Sequence, residues 1–426
     1  MTSLPRVLCV VTTFLAIGSV FVAIASPAMA ENWPCWRGPR GDGTSIEPNV
    51  PTTWSATENI AWRVEVPGSG HASPIVWGNR IFVTACDDAT GERRIACFDR
   101  VAGSKLWQVG VITTPLEKKH TLNSFASSTP ATDGRSVYVS ALNNTSDDPS
   151  VNHGEMVIAA YDFDGKQQWV ARPGVFSSTH GYCSSPVLFE DLVIINGDHD
   201  GDAYIVALDR GTGRTVWKVE RENKTRSYST PIIRTINGRE QMILSGSKSV
   251  VSYDPRTGER LWNIDGPTEQ FVASMVGDDK LVFLTAGFPQ KHILAIRPTG
   301  SGNVTDSHIV WRTTENCSYV PSPVLTDKYF LVAADNGIAS CFEAETGVRQ
   351  WKERMGPHYS ASLVTAGGLA YFLADDGKMT VVRPGPTYDV VSVNNLGEHC
   401  FASPAISDGQ IFLRGEKNLY CVGLKQ

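Results

Sequence analysis

The sequence predicts an all-β chain: an eight-bladed β-propeller of four-stranded antiparallel blades, its ring closed by an N-terminal strand that completes the last blade. Three observations carry this expectation. A segment ending in glycine and tryptophan recurs along the chain, a Ser/Thr-Pro segment recurs in step with it, and one strand stands orphaned upstream of the first repeat.

The first marker is "DRVAGSKLW" (99–107), "DFDGKQQW" (162–169), "DRGTGRTVW" (209–217), "DPRTGERLW" (254–262) and "EAETGVRQW" (343–351). In each, the glycine lies four residues before the tryptophan: Gly103 and Trp107, Gly165 and Trp169, Gly213 and Trp217, Gly258 and Trp262, Gly347 and Trp351. An apolar strand precedes each, so each reads as strand, glycine turn, strand. Glycine supplies the positive φ that a short turn needs. A sixth copy, "RPTGSGNVTDSHIVW" (297–311), has an enlarged turn.

The second marker opens a strand at Pro74, Pro130, Pro186, Pro231, Pro323 and Pro404, with degenerate copies at Met275 and Leu363. Proline is tolerated at a strand's first position because its missing N–H falls outside the ladder. The eight anchors recur about every 47 residues, the spacing of four-stranded propeller blades. The last repeat supplies three strands and then the chain stops. Asn59–Val66 lies upstream of the first anchor, with Trp62 twelve residues before Pro74, the interval that also separates Trp311 from Pro323. It is expected to complete blade eight, because closure removes the exposed sheet edges of an open array.

Alignment of the repeats puts Cys97, Cys341 and Cys421 in the slot held elsewhere by Ala160, Ala207, Ser252 and Ala295, where a small buried residue suffices. Cys86 and Cys97 flank one hairpin and are weighed as a disulfide, which spacing alone does not decide.

The chain has 426 residues, 42% hydrophobic and 19% charged, a globular composition. Its net charge of −6 and the absence of a basic block argue against nucleic acid as a partner. Residues 1–30 read as a signal peptide: Arg6, an apolar run from Val7 to Ala25, and small residues before Ala30. Cleavage makes the protein periplasmic or secreted; membrane contact follows only if the segment stays as an anchor. Residues 31–58 form an N-terminal extension and 59–426 the propeller, expected to act as a monomer.

Ligands are expected at one mouth of the channel. The connections entering the inner strands each carry an aromatic or a histidine: His71, Phe125, Tyr182, Tyr228, Phe271, Tyr319, Tyr359 and Phe401. Equivalent blades would gather these into a ring of π-faces, suited to a planar ligand or an inserted peptide. The plainer alternative is a packing layer between blades. His71, His180, His358 and His399 also precede anchors but come from blades far apart, so no metal site is expected. "DHDGDA" (198–203) alternates aspartates like the start of a calcium loop, yet Ala203 stands where glycine is needed; the plain reading is an acidic hairpin. Two insertions, 110–125 and 143–156, are expected on the face of the aromatic ring. No catalytic residue is assigned, since no nucleotide-binding glycine loop or nucleophile–base setting is present.

With these motifs in hand, the D/E-x-x-T-G-x-x-x-W segments and Ser-Pro anchors resemble the pyrroloquinoline-quinone-like (PQQ-like) repeat family over roughly residues 59–426. That family includes quinoprotein alcohol dehydrogenases and the outer-membrane assembly protein BamB, both eight-bladed. The head "ENWPCWRGPRGDGTS" (31–45) is similar to the start of many exported bacterial proteins with these repeats, notably from planctomycetes. The dehydrogenase branch implies PQQ, a calcium ion, a catalytic aspartate and a disulfide between adjacent cysteines; this chain has no adjacent cysteine pair. The BamB branch implies a non-catalytic scaffold with no cofactor, docking a protein, peptide or envelope component through its loops, though no lipid-attachment motif is present. A BamB-like scaffold is the first expectation, a PQQ-dependent oxidoreductase the second and a glycan-binding propeller the third.

Overall fold

A computed structural model describes residues 1–2, 31–146 and 153–423. The signal segment, save its first two residues, and the tip of the 143–156 insertion lie outside the described residues.

Eight antiparallel sheets follow one another along the chain. The first is Ile75–Trp77, Arg80–Asp87, Glu92–Asp99 and Lys105–Thr113, and the next six repeat that order. The eighth takes Ala405–Ser407, Gln410–Arg414 and Asn418–Val422 from the end of the chain and Ile60–Glu65 from its beginning, paired antiparallel with Asn418–Val422. The innermost strands of blades one and eight touch, which completes the ring. Two short strands decorate it. Val175–Phe176 pairs with the third strand of blade two, and Gly302–Asn303, from the enlarged turn, runs parallel to the outer strand of blade four. Among the described residues the one helix is a single turn, Thr305–His308.

The apolar core sits between blades. Ile75, Phe82 and Cys97 of blade one pack with Val137 and Tyr161 of blade two, and similar clusters fill the other junctions. Where the outer strand carries a tryptophan, the ring stands opposite the small residue of the third strand: Cys97 with Trp107, Ala207 with Trp217, Cys341 with Trp351, Cys421 with Trp62. A large ring fits there because its cross-strand partner is small. Cys86 and Cys97 are free thiols on adjacent strands, and Cys97 stands opposite Phe82 rather than Cys86. The weighed disulfide is therefore corrected: register, not loop length, sets which side chains meet.

The glycine–tryptophan spacing has a purpose that turn geometry alone does not reveal. Each tryptophan reaches the third-to-fourth-strand turn of the next blade. Trp62 Nε1 donates to Arg100 O at 2.8 Å, Trp107 to Phe163 O at 2.7 Å, Trp169 to Arg210 O at 3.0 Å and Trp311 to Ala344 O at 2.8 Å. The indole face then lies under the turn glycine. A Cβ on Gly213, where φ is +72°, would stand 2.5 Å from the Trp169 ring. At the enlarged turn the contact is relayed: Trp262 Nε1 donates to Gln241 Oε1, and Gln241 Nε2 donates to Pro298 O.

Blade seven has no such tryptophan. Ser392 occupies its place, opposite Val381. The next blade is the one whose outer strand comes from elsewhere in the chain, so it has no hairpin turn to receive an indole. Ser392 and Asn394 instead bond the carbonyl of Thr52, and Trp54 N donates to Asn394 Oδ1 at 2.8 Å.

Around the channel runs a second set of links. Ser73, Thr129, Ser185, Thr230, Ser274, Ser322, Ser362 and Ser403 immediately precede the eight anchors. The amide of Ser73 donates to the hydroxyl of Thr129 at 3.0 Å, and that of Thr129 to Ser185 at 3.0 Å. Thr230 donates to Ser274, Ser274 to Ser322, Ser322 to Ser362 and Ser362 to Ser403, at 2.9–3.1 Å. The degenerate anchors at Met275 and Leu363 lose the proline and keep the hydroxyl.

Gly213→Ala should cost about 1–3 kcal/mol, because the methyl meets the Trp169 ring. Gly238→Ala is the control: φ is a similar +76°, but nothing lies within 4 Å of the added Cβ. Thermal unfolding should show the larger loss at Gly213; equal losses would mean the indole contact is slack.

Candidate functional site

Antiparallel order puts the first-to-second-strand turns on one face of the ring and the connections entering the inner strands on the other. The N-terminal head lies across the first face. Trp33 exchanges backbone hydrogen bonds with Val76, Thr132 N donates to Pro34 O, and Ser45 N donates to Thr365 O. Glu47 accepts from the amides of Asp408 and Gly409, both at 2.5 Å. Arg234 donates to Arg40 O and pairs with Asp42. At the centre Arg37, 2% exposed, bonds the carbonyls of Leu363, Asp42 and Pro323. A guanidinium aimed at carbonyls suits this place because its donors fan out in a plane. Beside it Trp36 Nε1 donates to Ser274 Oγ at 3.2 Å, which seats the indole against the hydroxyl belt.

The head therefore closes one end of the channel. What remains is a blind cup of about 580 Å³, floored by Trp36 and opening on the other face. Of the eight predicted ring residues, His71, Tyr228, Tyr319 and Phe401 line this cup. Tyr182, Phe271 and Tyr359 turn away into the packing between blades. Phe125 lies against Arg93 and Lys119 outside the cup. The 110–125 insertion contributes His120 and Leu122 to the wall. Sequence reasoning missed Trp36 as floor and the belt hydroxyls as lining. The head motif was legible, but nothing local says that it folds back under the ring.

The acidic hairpin "DHDGDA" holds one wall. Its alternate aspartates meet three cations of the following connection: Asp198 pairs with Arg221 at 2.8 Å, Asp200 with Arg226 at 2.8 Å, and Asp202 with Lys224. The first pair is fully buried and is completed by Ser227 and the Tyr253 hydroxyl. This ladder fixes the connection that carries Arg226 and Tyr228 into the cup. Asp335, the one carboxylate among the lining residues, accepts from the amides of Tyr319 and Val320.

The cup is otherwise neutral to basic. His71 Nδ1 donates to Leu122 O at 3.2 Å, and burial, reinforced by Arg414, lowers its pKa to about 4. Burial, helped by Arg226, lowers that of His180. His180 meets His120 edge-on, ring centroids 5.5 Å apart. His358 donates to Asp375 at 2.7 Å, while His399 Nδ1 bonds the Asp375 carbonyl. The Cys183 thiol is pushed up to about 12 by burial and is inert as a nucleophile at neutral pH. No group of three or more metal-ligating side chains comes together among the described residues.

The family model described as outer membrane protein assembly factor BamB matches residues 50–139 and 91–353. Solved structures share the fold. BamB from Moraxella catarrhalis aligns over 86% of this chain and 98% of its own, with 13% identity and a TM-score of 0.57. The quinohemoprotein alcohol dehydrogenase from Comamonas testosteroni aligns over 93% and 81%, with 13% identity and a TM-score of 0.65. A europium-containing methanol dehydrogenase aligns over 92% and 98%, with 12% identity and a TM-score of 0.52. No curated protein matches the sequence.

Arg37→Met should cost about 1–3 kcal/mol through the buried carbonyls it leaves unpaired. Scanning calorimetry should register the loss, and tryptophan emission should shift red as Trp36 becomes wet. A second expectation concerns acid. Because the folded-state pKa of His71 is depressed from 6.5 to about 4, its contribution is complete above about 6.5 and is lost as pH falls towards 4. Unfolding midpoints of wild type and His71→Leu across that window should converge on acidification; parallel curves would show that His71 does not titrate in this way.

Proposed function

Because the chain belongs to the PQQ-like repeat family of the outer membrane protein assembly factor BamB, we propose that it is an exported, non-catalytic scaffold that holds a protein, peptide or envelope component at the mouth of its cup. The observation that carries this reading is the cup's lining: Tyr228, Tyr319 and Phe401 offer aromatic faces, and the only carboxylate, Asp335, is committed to two backbone amides. Rigid aromatics around a desolvated hollow are the usual anchors of a protein interface. A calcium site would need carboxylates free to act.

The quinoprotein alternative is tested by the same donor set. Calcium takes six to eight oxygen ligands, several of them carboxylates. The cup has one carboxylate, already bonded, and its other ionisable lining groups are Arg226, Lys291, Cys183 and histidines. These residues do not fit a calcium–quinone pair, and no step is derived through one. Calorimetric titration with PQQ and calcium should give no binding heat; tight one-to-one binding would restore the oxidoreductase reading.

The mouth itself is tested with Tyr228→Ala/Tyr319→Ala. Tyr182 is left intact, since it packs between blades and its truncation would open a cavity. Tyr228 is itself 8% exposed and bonded to Ser178, so the double variant should unfold several degrees lower but stay folded at room temperature, and it should lose crosslinks to envelope partners that the wild type forms. Undiminished crosslinking would move the partner surface away from the cup.

A further inference from the structure

The belt hydroxyls do more than join blades. Ser185, Ser362 and Ser403 line the cup, and each already accepts an amide from its neighbour. Ser274 accepts twice, from the Thr230 amide and from the Trp36 indole, so its two lone pairs are engaged and its proton is what remains to give. Thr230 lines the same space. The bottom of the cup is thus a circle of O–H donors. Above it stands Lys291, with Arg226 beside it already paired to Asp200, and the lone lining carboxylate is spent on backbone amides. An interior rich in donors and poor in acceptors asks its guest to bring acceptor oxygens and negative charge.

Shape narrows the guest further. The head blocks the floor, so an extended chain cannot thread the channel, but a chain end can enter. The apolar surface does not stop at the cavity. Leu122 and Phe288 line its mouth while 38% and 50% exposed. A small molecule held inside would leave them wet; a chain leaving the cup would cross and cover them.

We propose that the cup takes the C-terminal end of a partner polypeptide, its α-carboxylate on the hydroxyl floor and its last apolar side chains against Tyr228, Tyr319 and Phe401. This rests on the reading that the loop face holds a polypeptide, and it names which part of that polypeptide is held.

The test uses the mature chain, residues 31–426, and the fluorescein-labelled heptapeptide Gly-Ser-Gly-Ser-Ala-Val-Phe with a free C-terminus, against the same peptide amidated. Fluorescence anisotropy should show the acid binding at least about ten-fold more tightly than the amide, as loss of a charge-assisted contact predicts. Thr230→Val should weaken the acid several-fold and leave the amide unchanged, and Lys291→Met, on the wall of the cup away from the belt, should do the same even if Thr230→Val folds poorly. Equal affinity for acid and amide, lost together in Tyr228→Ala/Tyr319→Ala, would overturn the carboxylate site and leave the aromatic mouth standing. Absence of binding by either peptide, with envelope crosslinks intact, would overturn the proposal alone. N-acetylphenylalanine competing as well as the unlabelled peptide would overturn it in favour of a small carboxylate.

Discussion

The constraint on which this molecule turns is a backbone one. Where each inner strand begins, beside the channel, an amide is buried with no ladder to join. Proline at the anchor removes one such donor. The residue before it still has an N–H, and the hydroxyl of the next blade's Ser or Thr receives it. Satisfying a buried donor in this way sets the distance between neighbouring inner strands, blade after blade. At larger radius the indole-on-glycine contact does the corresponding work. Two unrelated chemistries, one polar and near the axis, one aromatic and near the rim, therefore hold most neighbouring blades in the same relative pose.

Much of this was legible in the residues. The repeat, the blade number and the closing strand follow from spacing, and the small third-strand slot followed from aligning Cys97 with Ala160 and Ser252. What local pattern could not give was direction across the repeat. The four-residue spacing of glycine and tryptophan looks like the grammar of a single hairpin, yet the glycine of one blade answers to the tryptophan of the previous one. Likewise the proline drew the eye at each anchor, but the hydroxyl beside it is what all eight copies share.

Which face of the ring carries the cup was legible in the repeat; which side chains enter it was not. The eight aromatic and histidine positions divide: His71, Tyr228, Tyr319 and Phe401 line the cup, Tyr182, Phe271 and Tyr359 serve the packing between blades, and Phe125 lies outside against Arg93 and Lys119. Position relative to an anchor does not report which way a connecting loop carries its side chain. The aspartates of "DHDGDA" had a metal-loop cadence for a different reason: each meets one of three cations of the next connection. The floor was out of reach altogether, because Trp36 meets Ser274 across 238 residues of sequence.

That long reach has a consequence for assembly. Residues 31–65 supply both the stopper of the channel and the outermost strand of the final blade, and Trp54 and Glu47 find their partners some 340 and 361 positions downstream. They belong to the most non-local set of contacts among the described residues, which reaches from Asn59 to Gly423, and loop-closure entropy makes such contacts late to form. Residues 31–65 can therefore take their places only once blades seven and eight exist. Until the eighth blade exists, its free edge stays open and the channel runs through from face to face. The fold finishes by fastening its own beginning over its end, and in that single act the tunnel becomes a vessel.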